Sequence, residues 1–352
     1  MERAYAGSQY KKMVATQCRQ RSRSIVLASD LDNTLVISWG NRVSSQELMR
    51  FLKEKSIPLL IVTGIDIKQI LSRISTGEVP LPQAFSSDVG TNLYFLHTTK
   101  PHSSEESISS VLPSDETVWF VRDRLFDRVI RETGYNRRRL VKECLQIIQE
   151  YSEQDQYKEQ FEDRLDLVFQ TSLEEEKNFL NGGDVPRGWD WKISFWFFDN
   201  TRTLEKAARL AKTIRGRLGQ EVVVCEEKNY NSRLGPEDRR RKYNLDLLPV
   251  TKAVVVNYVA LLSKARTVAV AGDSGNDAEM LLDSGDLKIV VGGYTQELID
   301  RIKIAFPSKD SALENGWFEA NKRTWYVERR LSRRRGPQSI LNALKQYFST
   351  AG

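Results

Sequence analysis

Short, continuous apolar runs recur in the first and last thirds of the chain, and each run ends in polar residues. The clearest runs lie at residues 25–28, 58–62 and 267–272, and helical patterns follow the first two of them at 45–53 and 66–74. A run that is apolar at every position is typical of a strand that is buried on both faces of a parallel sheet. The alternation of such strands with helices predicts an α/β fold with a doubly wound, Rossmann-like parallel sheet.

The middle of the chain follows a different pattern. Residues 98–116 are rich in Ser, Thr, Pro and acidic residues and predict a loop, whereas residues 189–198 alternate as in a strand. We therefore interpret residues 98–243 as a separate α+β cap inserted into the first domain. That first domain, the core, then comprises residues 23–97 and 244–352.

Composition narrows the class of protein. The chain has 352 residues, of which 40% are hydrophobic and 28% are charged, as in an ordinary globular protein. It has two histidines and three widely spaced cysteines, which argues against a multi-histidine metal site, a zinc motif or a disulfide framework and favours a reducing, cytoplasmic compartment. We found no apolar run approaching the ~18 residues of a membrane span, and residues 1–22 predict a disordered basic tail.

The net charge of +6 favours an anionic partner slightly. Nucleic acid is not indicated, because the basic runs lie in distant segments.

Four groups of polar residues are expected at one edge of the sheet. They are Asp30-Leu31-Asp32-Asn33-Thr34 after the first strand, Thr63-Gly64 after the second, Lys252 at the start of a helix, and Gly272-Asp273-Ser274-Gly275-Asn276-Asp277 after a later strand. In a doubly wound sheet the carboxyl ends of the strands line one crevice. We therefore expect Asp30 and Asp273 to meet, although they are 243 positions apart.

The chemistry of these groups is that of phosphoryl transfer. The crevice would hold four carboxylates: Asp30, Asp32, Asp273 and Asp277. Carboxylates at such close range repel each other unless a cation neutralises them, and an all-oxygen ligand set favours Mg²⁺. The Thr63 hydroxyl and the Gly64 backbone suit phosphate oxygens, and Lys252 adds a fixed positive charge. Each group alone could equally be a helix cap or a turn, but together they favour positioning and neutralisation of a phosphoryl group.

In this order the four groups resemble the motifs of the haloacid dehalogenase-like phosphatase superfamily. The resemblance implies that Asp30 is the nucleophile and forms an aspartyl-phosphate, and that Asp32 is the general acid and then the general base. It implies that Thr63 holds the phosphate and that Lys252 balances its charge. The implied ligands of Mg²⁺ are Asp30, Asp32 (through its backbone carbonyl), Asp273 and Asp277. Asp273 would bind directly, whereas Asp277 would bind through water or orient its neighbours. Gly64 and Asn276 are implied to contact the substrate.

Within the superfamily, the sequence resembles the sucrose-phosphate phosphatase family at residues 29–34, 88–91, 191–195, 246–249 and 272–277. This narrower resemblance implies that sucrose 6-phosphate is the substrate. It also implies that Thr91 approaches the sugar from the core and Lys192 from the cap.

The sequence departs from the family at Ile65, where the family has arginine, and at Ala253, where it has glycine. Lys68 or an arginine of the cap is a candidate to replace the missing arginine. The cap also has extra length. These departures leave other glycosyl phosphates open, such as mannosyl- or glucosyl-phosphoglycerate or trehalose 6-phosphate. A non-catalytic partner of a sugar-phosphate synthase is a further alternative, although the complete set of motif residues favours an active enzyme.

Overall fold

The computed structural model describes most of the chain, and all that follows concerns these residues. They are residues 25–36, 42–101, 106–154, 178–183, 191–198, 201–219, 222–230, 241–307, 316–328 and 336–350. The predicted tail at 1–22 lies outside them. The chain divides into two compact units, of which the first comprises residues up to Asp127 together with Thr251 onwards, and the second comprises Arg128–Val250.

The core unit is built on a sheet of ten strands. They are β1 (Ile25–Ser29), β2 (Leu59–Val62), β3 (Ala84–Ser87), β4 (Asn92–His97), β5 (Ser107–Val111), β6 (Thr117–Arg122), β10 (Thr267–Gly272), β11 (Leu287–Val290), β12 (Trp317–Ala320) and β13 (Arg323–Val327). Their order across the sheet is β12-β13-β11-β10-β1-β2-β3-β4-β6-β5. The strands from β13 to β3 in this order are parallel, and the outer strands β12, β4, β6 and β5 pair antiparallel.

Helices lie between or after the strands of the core unit, as the alternation of patterns predicts. They are α1 (Arg42–Glu54), α2 (Ile67–Ser75), α6 (Lys252–Ser263), α7 (Ala278–Asp283), α8 (Gln296–Ala305) and α9 (Gly336–Thr350), and α3 (Arg124–Glu132) runs across the boundary between the units. Leu27 and Ile61, on neighbouring strands, are fully buried in the hydrophobic core. The predicted doubly wound α/β fold is confirmed.

The second unit has its own core. It contains α4 (Arg137–Gln154), α5 (Thr201–Leu218) and the antiparallel strands β7 (Ile193–Phe198), β8 (Val223–Tyr230) and β9 (Arg241–Leu248), in the order β7-β9-β8. Residues of both helices and of the sheet, among them Leu140, Ile193, Ile214 and Leu247, form one buried apolar cluster. An apolar cluster shared by two helices and a sheet is what an inserted folding unit needs.

The bounds of the units differ from the predicted ones. Residues 98–116 were expected to be a loop of the cap, but β5 lies within them and pairs with β6, which itself pairs with β4 in the core sheet. The loop prediction was wrong for Ser107–Val111. The C-terminal bound of the second unit also differs from the predicted one. β9 pairs with β7 and β8, so the unit extends to Val250 instead of residue 243. None of the described helices is long and apolar enough to cross a bilayer.

Candidate active site

The site lies where the direction of winding of the sheet changes. β1 is flanked by β2 on one side and by β10 on the other, and Ser29 is in register with Ala271. The Asp30 backbone N–H donates to the Ala271 carbonyl at 2.9 Å, so the pairing continues to the last residue before the site. This is the switch point at which doubly wound sheets bind ligands.

Three of the four predicted carboxylates come together at this point. Asp30, Asp273 and Asp277 are all buried, and one carboxylate oxygen of each lies within 4.8 Å of the others. The Thr34 hydroxyl donates to Asp273 Oδ1 at 3.0 Å, which ties the loop after β1 to the loop after β10. The expected meeting of Asp30 and Asp273 is therefore present in the structure.

Lys252 is the cation of this cluster. Its side chain is fully buried at the start of α6, and its Nζ atom lies 2.6 Å from Asp30 Oδ1, 2.6 Å from Asp277 Oδ1 and 3.2 Å from Asn276 Oδ1. Three acceptors match the three protons of an ammonium group. Burial alone would lower the pKa of Lys252, but Asp277 and Asp30 raise it well above its usual range. The residue is therefore a fixed positive charge.

The surroundings favour the charged form of Lys252 but disfavour the charged form of Asp30. Burial, followed by the charge of Asp277, raises its pKa from 3.8 to about 8, although Lys252 acts in the other direction. One nearby ammonium group does not compensate for taking this carboxylate out of water beside a second one. The cluster therefore lacks positive charge.

Asp277 organises its own loop. Its Oδ2 atom accepts the backbone N–H groups of Asp273 at 3.0 Å and of Ser274 at 3.1 Å, and the Ser274 hydroxyl at 3.1 Å. A Cβ atom at position 272 would lie 2.5 Å from the Asp277 Cβ atom, so only glycine allows this approach. With its Oδ1 atom on Lys252, Asp277 orients its neighbours.

The cluster fits a hard divalent cation. Its three carboxylates and one ammonium group leave two uncompensated negative charges, all donors are oxygen atoms, and the group is buried. Mg²⁺ prefers such a set and completes its shell with water and substrate phosphate. Asp30 and Asp273 would hold the ion, whereas the oxygens of Asp277 are already occupied by donors.

Asp32 points to a different partner. Its side chain is 46% exposed, and its Oδ1 atom accepts from the Arg73 guanidinium NH1 at 2.8 Å. The carboxylate is therefore not part of the cluster formed by the other three. A ligand role through its backbone carbonyl stays a prediction. Sequence reasoning missed Arg73, which lies on α2, 41 positions after Asp32.

The predicted phosphate loop follows β2. Thr63 is buried, its backbone N–H donates to the Ser86 carbonyl at 3.0 Å, and its carbonyl accepts the Val89 N–H at 2.9 Å. Its hydroxyl accepts the Ile65 N–H at 3.4 Å, and the Ile65 side chain packs against the hydrophobic core. The side chain at position 65 therefore contributes to packing. Gly64 lies between Thr63 and Ile65, which are both held by backbone hydrogen bonds.

The loop after β3 is strained and packs against both the phosphate loop and Lys252. Asp88, Val89 and Gly90 all have positive φ angles, of 54°, 62° and 92°. Positive φ is rare for a β-branched residue such as Val89. The Asp88 N–H donates to the Ile65 carbonyl at 3.1 Å, and a Cβ atom at position 90 would meet the backbone of Lys252. This loop therefore contacts both the segment after Thr63-Gly64 and the backbone of Lys252, a role that its sequence did not reveal.

The predicted sugar contacts lie in different places. Thr91 is fully buried, and its hydroxyl donates to the Asp88 carbonyl at 3.0 Å within the same loop. Lys192 belongs to the second unit, where its Nζ atom lies 3.4 Å from Asp246 Oδ2, and the Ser194 hydroxyl donates to the other oxygen of Asp246. Asn276 accepts from Lys252 and, at 2.8 Å, from the Ser274 hydroxyl. Their contact with a substrate stays a prediction.

Comparison with known proteins identifies a family that matches part of the chain. Residues 23–161 match the model of the sucrose-6F-phosphate phosphohydrolase family. The resemblance predicted from the motifs is confirmed over these residues. By class, the chain is a phosphoric monoester hydrolase. The match contains Asp30, Asp32 and Thr63 and ends before Lys252, which the structure itself joins to Asp30. No curated protein matches the sequence significantly.

Three solved structures resemble the chain to different degrees, and the first of them shares its fold. The sucrose-phosphatase of Synechocystis sp. PCC6803, solved in complex with sucrose and phosphate, is 18% identical, with a TM-score of 0.57, over 93% of this chain and 98% of that one. The haloacid dehalogenase-like protein yhjK of Bacillus subtilis is 16% identical, with a TM-score of 0.42, over 95% and 98%. The subclass IIB sugar phosphatase BT4131 is 13% identical, with a TM-score of 0.43, over 79% and 91%.

Proposed function

We propose that this phosphatase is Mg²⁺-dependent and hydrolyses a phosphorylated sugar, with sucrose 6-phosphate as the first candidate, through an aspartyl-phosphate on Asp30. The observation that carries the proposal is the placement of Asp30. Its carboxylate is buried, is held by Lys252 at 2.6 Å, and lies in a cluster with Asp273 and Asp277 that fits a hard cation. A bound Mg²⁺ would stabilise the negative charge of the nucleophile and of the phosphoryl group.

In the first step a carboxylate oxygen of Asp30 attacks phosphorus, and the bond from phosphorus to the sugar oxygen breaks. The Asp32 carboxyl group gives its proton to that leaving oxygen. Lys252 holds the nucleophile in place and offsets charge as the transition state forms. Thr63 and Gly64, at the end of β2, receive the phosphoryl oxygens.

In the second step Asp32 acts as a base. It takes a proton from a water molecule, whose oxygen attacks the phosphorus of the aspartyl-phosphate. The bond between phosphorus and the Asp30 oxygen breaks, inorganic phosphate leaves, and the Asp30 carboxylate is restored. The carboxyl group of Asp32 can serve both steps because its side chain is 46% exposed and so can meet both the leaving group and water.

The family match and the fold shared with a sucrose-phosphatase that holds sucrose and phosphate support sucrose 6-phosphate as the first substrate to test. One observation favours a second candidate. Ile65 replaces the arginine of the resembled family and packs into the core, so the contacts to the substrate differ from the family pattern. Another glycosyl phosphate, such as mannosyl- or glucosyl-phosphoglycerate or trehalose 6-phosphate, is therefore the alternative.

The test is phosphate release from a panel that contains these esters and simple hexose phosphates, in the presence of Mg²⁺ and of chelator. We expect release to require Mg²⁺ and to be fastest with sucrose 6-phosphate. A preference for another ester would show that sucrose 6-phosphate is not the preferred substrate, but it would still be consistent with the proposed mechanism. Release from none of them would contradict the proposal and favour a non-catalytic partner of a sugar-phosphate synthase, which a binding assay with such a synthase would then test.

A further inference from the structure

Arg73 contacts the carboxylate to which the proposed mechanism gives the proton transfers. It lies in the last turn of α2, and its NH1 atom donates to Asp32 Oδ1 at 2.8 Å. The side chain of Arg73 is only 18% exposed, whereas that of Asp32 is 46% exposed. A partly buried guanidinium group has a fixed position, so its hydrogen bond can set the orientation of the more exposed carboxylate.

The guanidinium group is itself anchored on its other side. Its Nε and NH2 atoms donate to Glu78 Oε1 at 3.0 and 2.8 Å. The Val79 N–H donates to the Arg73 carbonyl at 3.0 Å, which fixes the end of α2 and the turn that carries Glu78. An arginine whose planar fork is already engaged loses little further freedom when it also holds Asp32.

The backbone of Asp32 is anchored as well. Asp32 forms an isolated bridge with Val36, the Asn33 N–H donates to the Val36 carbonyl at 2.9 Å, and the flanking Leu31 and Leu35 are buried. The freedom that remains is rotation of the Asp32 side chain. The contact with Arg73 restricts that rotation.

We propose that Arg73 is a positioning residue that sets the direction of the Asp32 carboxyl group for proton transfer to the leaving oxygen. This inference rests on the proposed function and deepens it. Arg73 follows Ile65 by eight positions, so the segment after Thr63-Gly64 supplies a guanidinium group although residue 65 does not. All the residues in the contacts described here belong to the core unit.

A positioning role for Arg73 predicts a dependence on the leaving group that a purely structural role lacks. A sugar oxygen is a poor leaving group and needs a proton as its bond to phosphorus breaks, whereas p-nitrophenolate leaves without one. General acid catalysis contributes about 10²–10⁴-fold where it is needed, and small misplacement of a group costs much of that. Loss of Arg73 should therefore slow transfer from a sugar ester and spare transfer from p-nitrophenyl phosphate.

The experiment is a single-turnover measurement of the phosphorylation step with Mg²⁺ present. It follows release of free sugar from the best ester of the panel, and release of p-nitrophenolate from p-nitrophenyl phosphate. For Arg73→Gln we expect a loss of about 10–100-fold with the sugar ester and of less than about 3-fold with the aryl ester. Arg73→Lys keeps the charge without the planar fork, and we expect it to recover part of the lost rate.

Two further variants separate this effect from general changes. Lys345→Gln removes one exposed positive charge from α9 of the core unit, at a residue with no proposed role in the site, and we expect it to behave as the wild type with both esters. Glu78→Gln weakens the anchor of Arg73 and leaves the contact with Asp32, so we expect a smaller loss that is again confined to the sugar ester. The second variant keeps the inference testable if Arg73→Gln fails to fold.

Equal losses with both esters, an unchanged rate in Arg73→Gln, or the same selective loss in Lys345→Gln would each overturn the inference. A wild-type protein that hydrolyses both esters while Arg73→Gln shows equal losses would overturn the inference alone. A wild-type protein that hydrolyses neither ester would overturn the proposed function, and the inference with it.

Discussion

Gly90 packs against the backbone of Lys252: a Cβ atom at position 90 would lie 3.1 Å from the Lys252 Cα atom and 3.4 Å from its nitrogen. Gly90 also has a φ of +92°, which side chains disfavour. The loop after β3 therefore supports the residue that binds Asp30 and Asp277, without touching either carboxylate in that contact.

This relationship predicts that Gly90→Ala lowers kcat by displacing Lys252. The matched control is Gly134→Ala, because Gly134 has a φ of +78° and nothing within 4 Å of its added Cβ atom. Both variants should lose about 1–2 kcal/mol of stability from left-handed backbone strain. We expect about a tenfold or greater loss of kcat only in Gly90→Ala, measured by phosphate release. Equal kcat in the two variants would show that the loop does not position Lys252.

Replacement of the proposed nucleophile should stop turnover without unfolding the protein. Asparagine at position 30 has nearly the same size but cannot attack phosphorus, so we expect Asp30→Asn to lower kcat by at least ~10³-fold. Circular dichroism and thermal unfolding should show a folded protein. A folded variant with a rate near that of the wild type would assign the nucleophile to another residue.

The raised pKa of Asp30 also predicts how stability depends on pH in metal-free protein. Below about pH 4 this carboxyl group is protonated in both the folded and the unfolded state. Between about pH 4 and pH 8 the unfolded chain releases the proton while the folded protein retains it, because burial and Asp277 raise its pKa from 3.8 to about 8. The contribution of Asp30 to the free energy of unfolding should therefore fall as pH rises through this range.

The measurement is urea unfolding of chelator-treated wild type and Asp30→Asn at pH 5 and pH 8. Groups remote from the cluster are common to both proteins, so the difference between them reports Asp30 together with its coupling to Lys252 and Asp277. We expect the wild type to lose more stability than the variant on going from pH 5 to pH 8. Parallel losses would mean that Asp30 is ionised in the folded protein at both pH values.

Removal of Mg²⁺ should abolish activity, and its return should restore it. Because the proposed ion binds only the folded protein, Mg²⁺ at 100 times its Kd should also stabilise the fold by about 2.7 kcal/mol. Asp273→Asn should lose this stabilisation, whereas Asp300→Asn, which removes an exposed carboxylate bonded to Gln296, should keep it. Thermal unfolding with and without Mg²⁺ makes the comparison, and activity that is indifferent to chelator would disprove the metal requirement.

The central strands and the carboxylate cluster could be predicted because their signals are local. β1 and β10 are apolar at nearly every position, and each is followed at once by its aspartates, so the topology of a doubly wound sheet was enough to bring Asp30 to Asp273. The position of the cluster could therefore be predicted from the ends of these two strands, because ligands bind at the carboxyl ends of the strands in doubly wound sheets.

The features that were missed depend on contacts distant in sequence. β5 has the sequence Ser-Ile-Ser-Ser-Val and is an edge strand, so its own pattern does not distinguish it from a loop until β6 pairs with it. The contact between Arg73 and Asp32 depends on where α2 ends relative to β1, which no residue spacing encodes. Three successive positive φ angles in the loop after β3 likewise need the surrounding structure to hold them.

The position of β10 in the middle of the sheet also has a consequence for the order in which the protein can fold during synthesis. β1 emerges from the ribosome early, but the strand that pairs with one of its edges begins at Thr267, some 240 residues later. At a synthesis rate of about 5–20 residues per second, that edge waits roughly 10–50 s for its partner. An unpaired apolar edge is a template for aggregation. A nascent chain of this phosphatase therefore needs either shielding of β1 by other factors or a late, concerted closure of the sheet. A chain that ends before Asp273 cannot assemble the Asp30–Asp273 site.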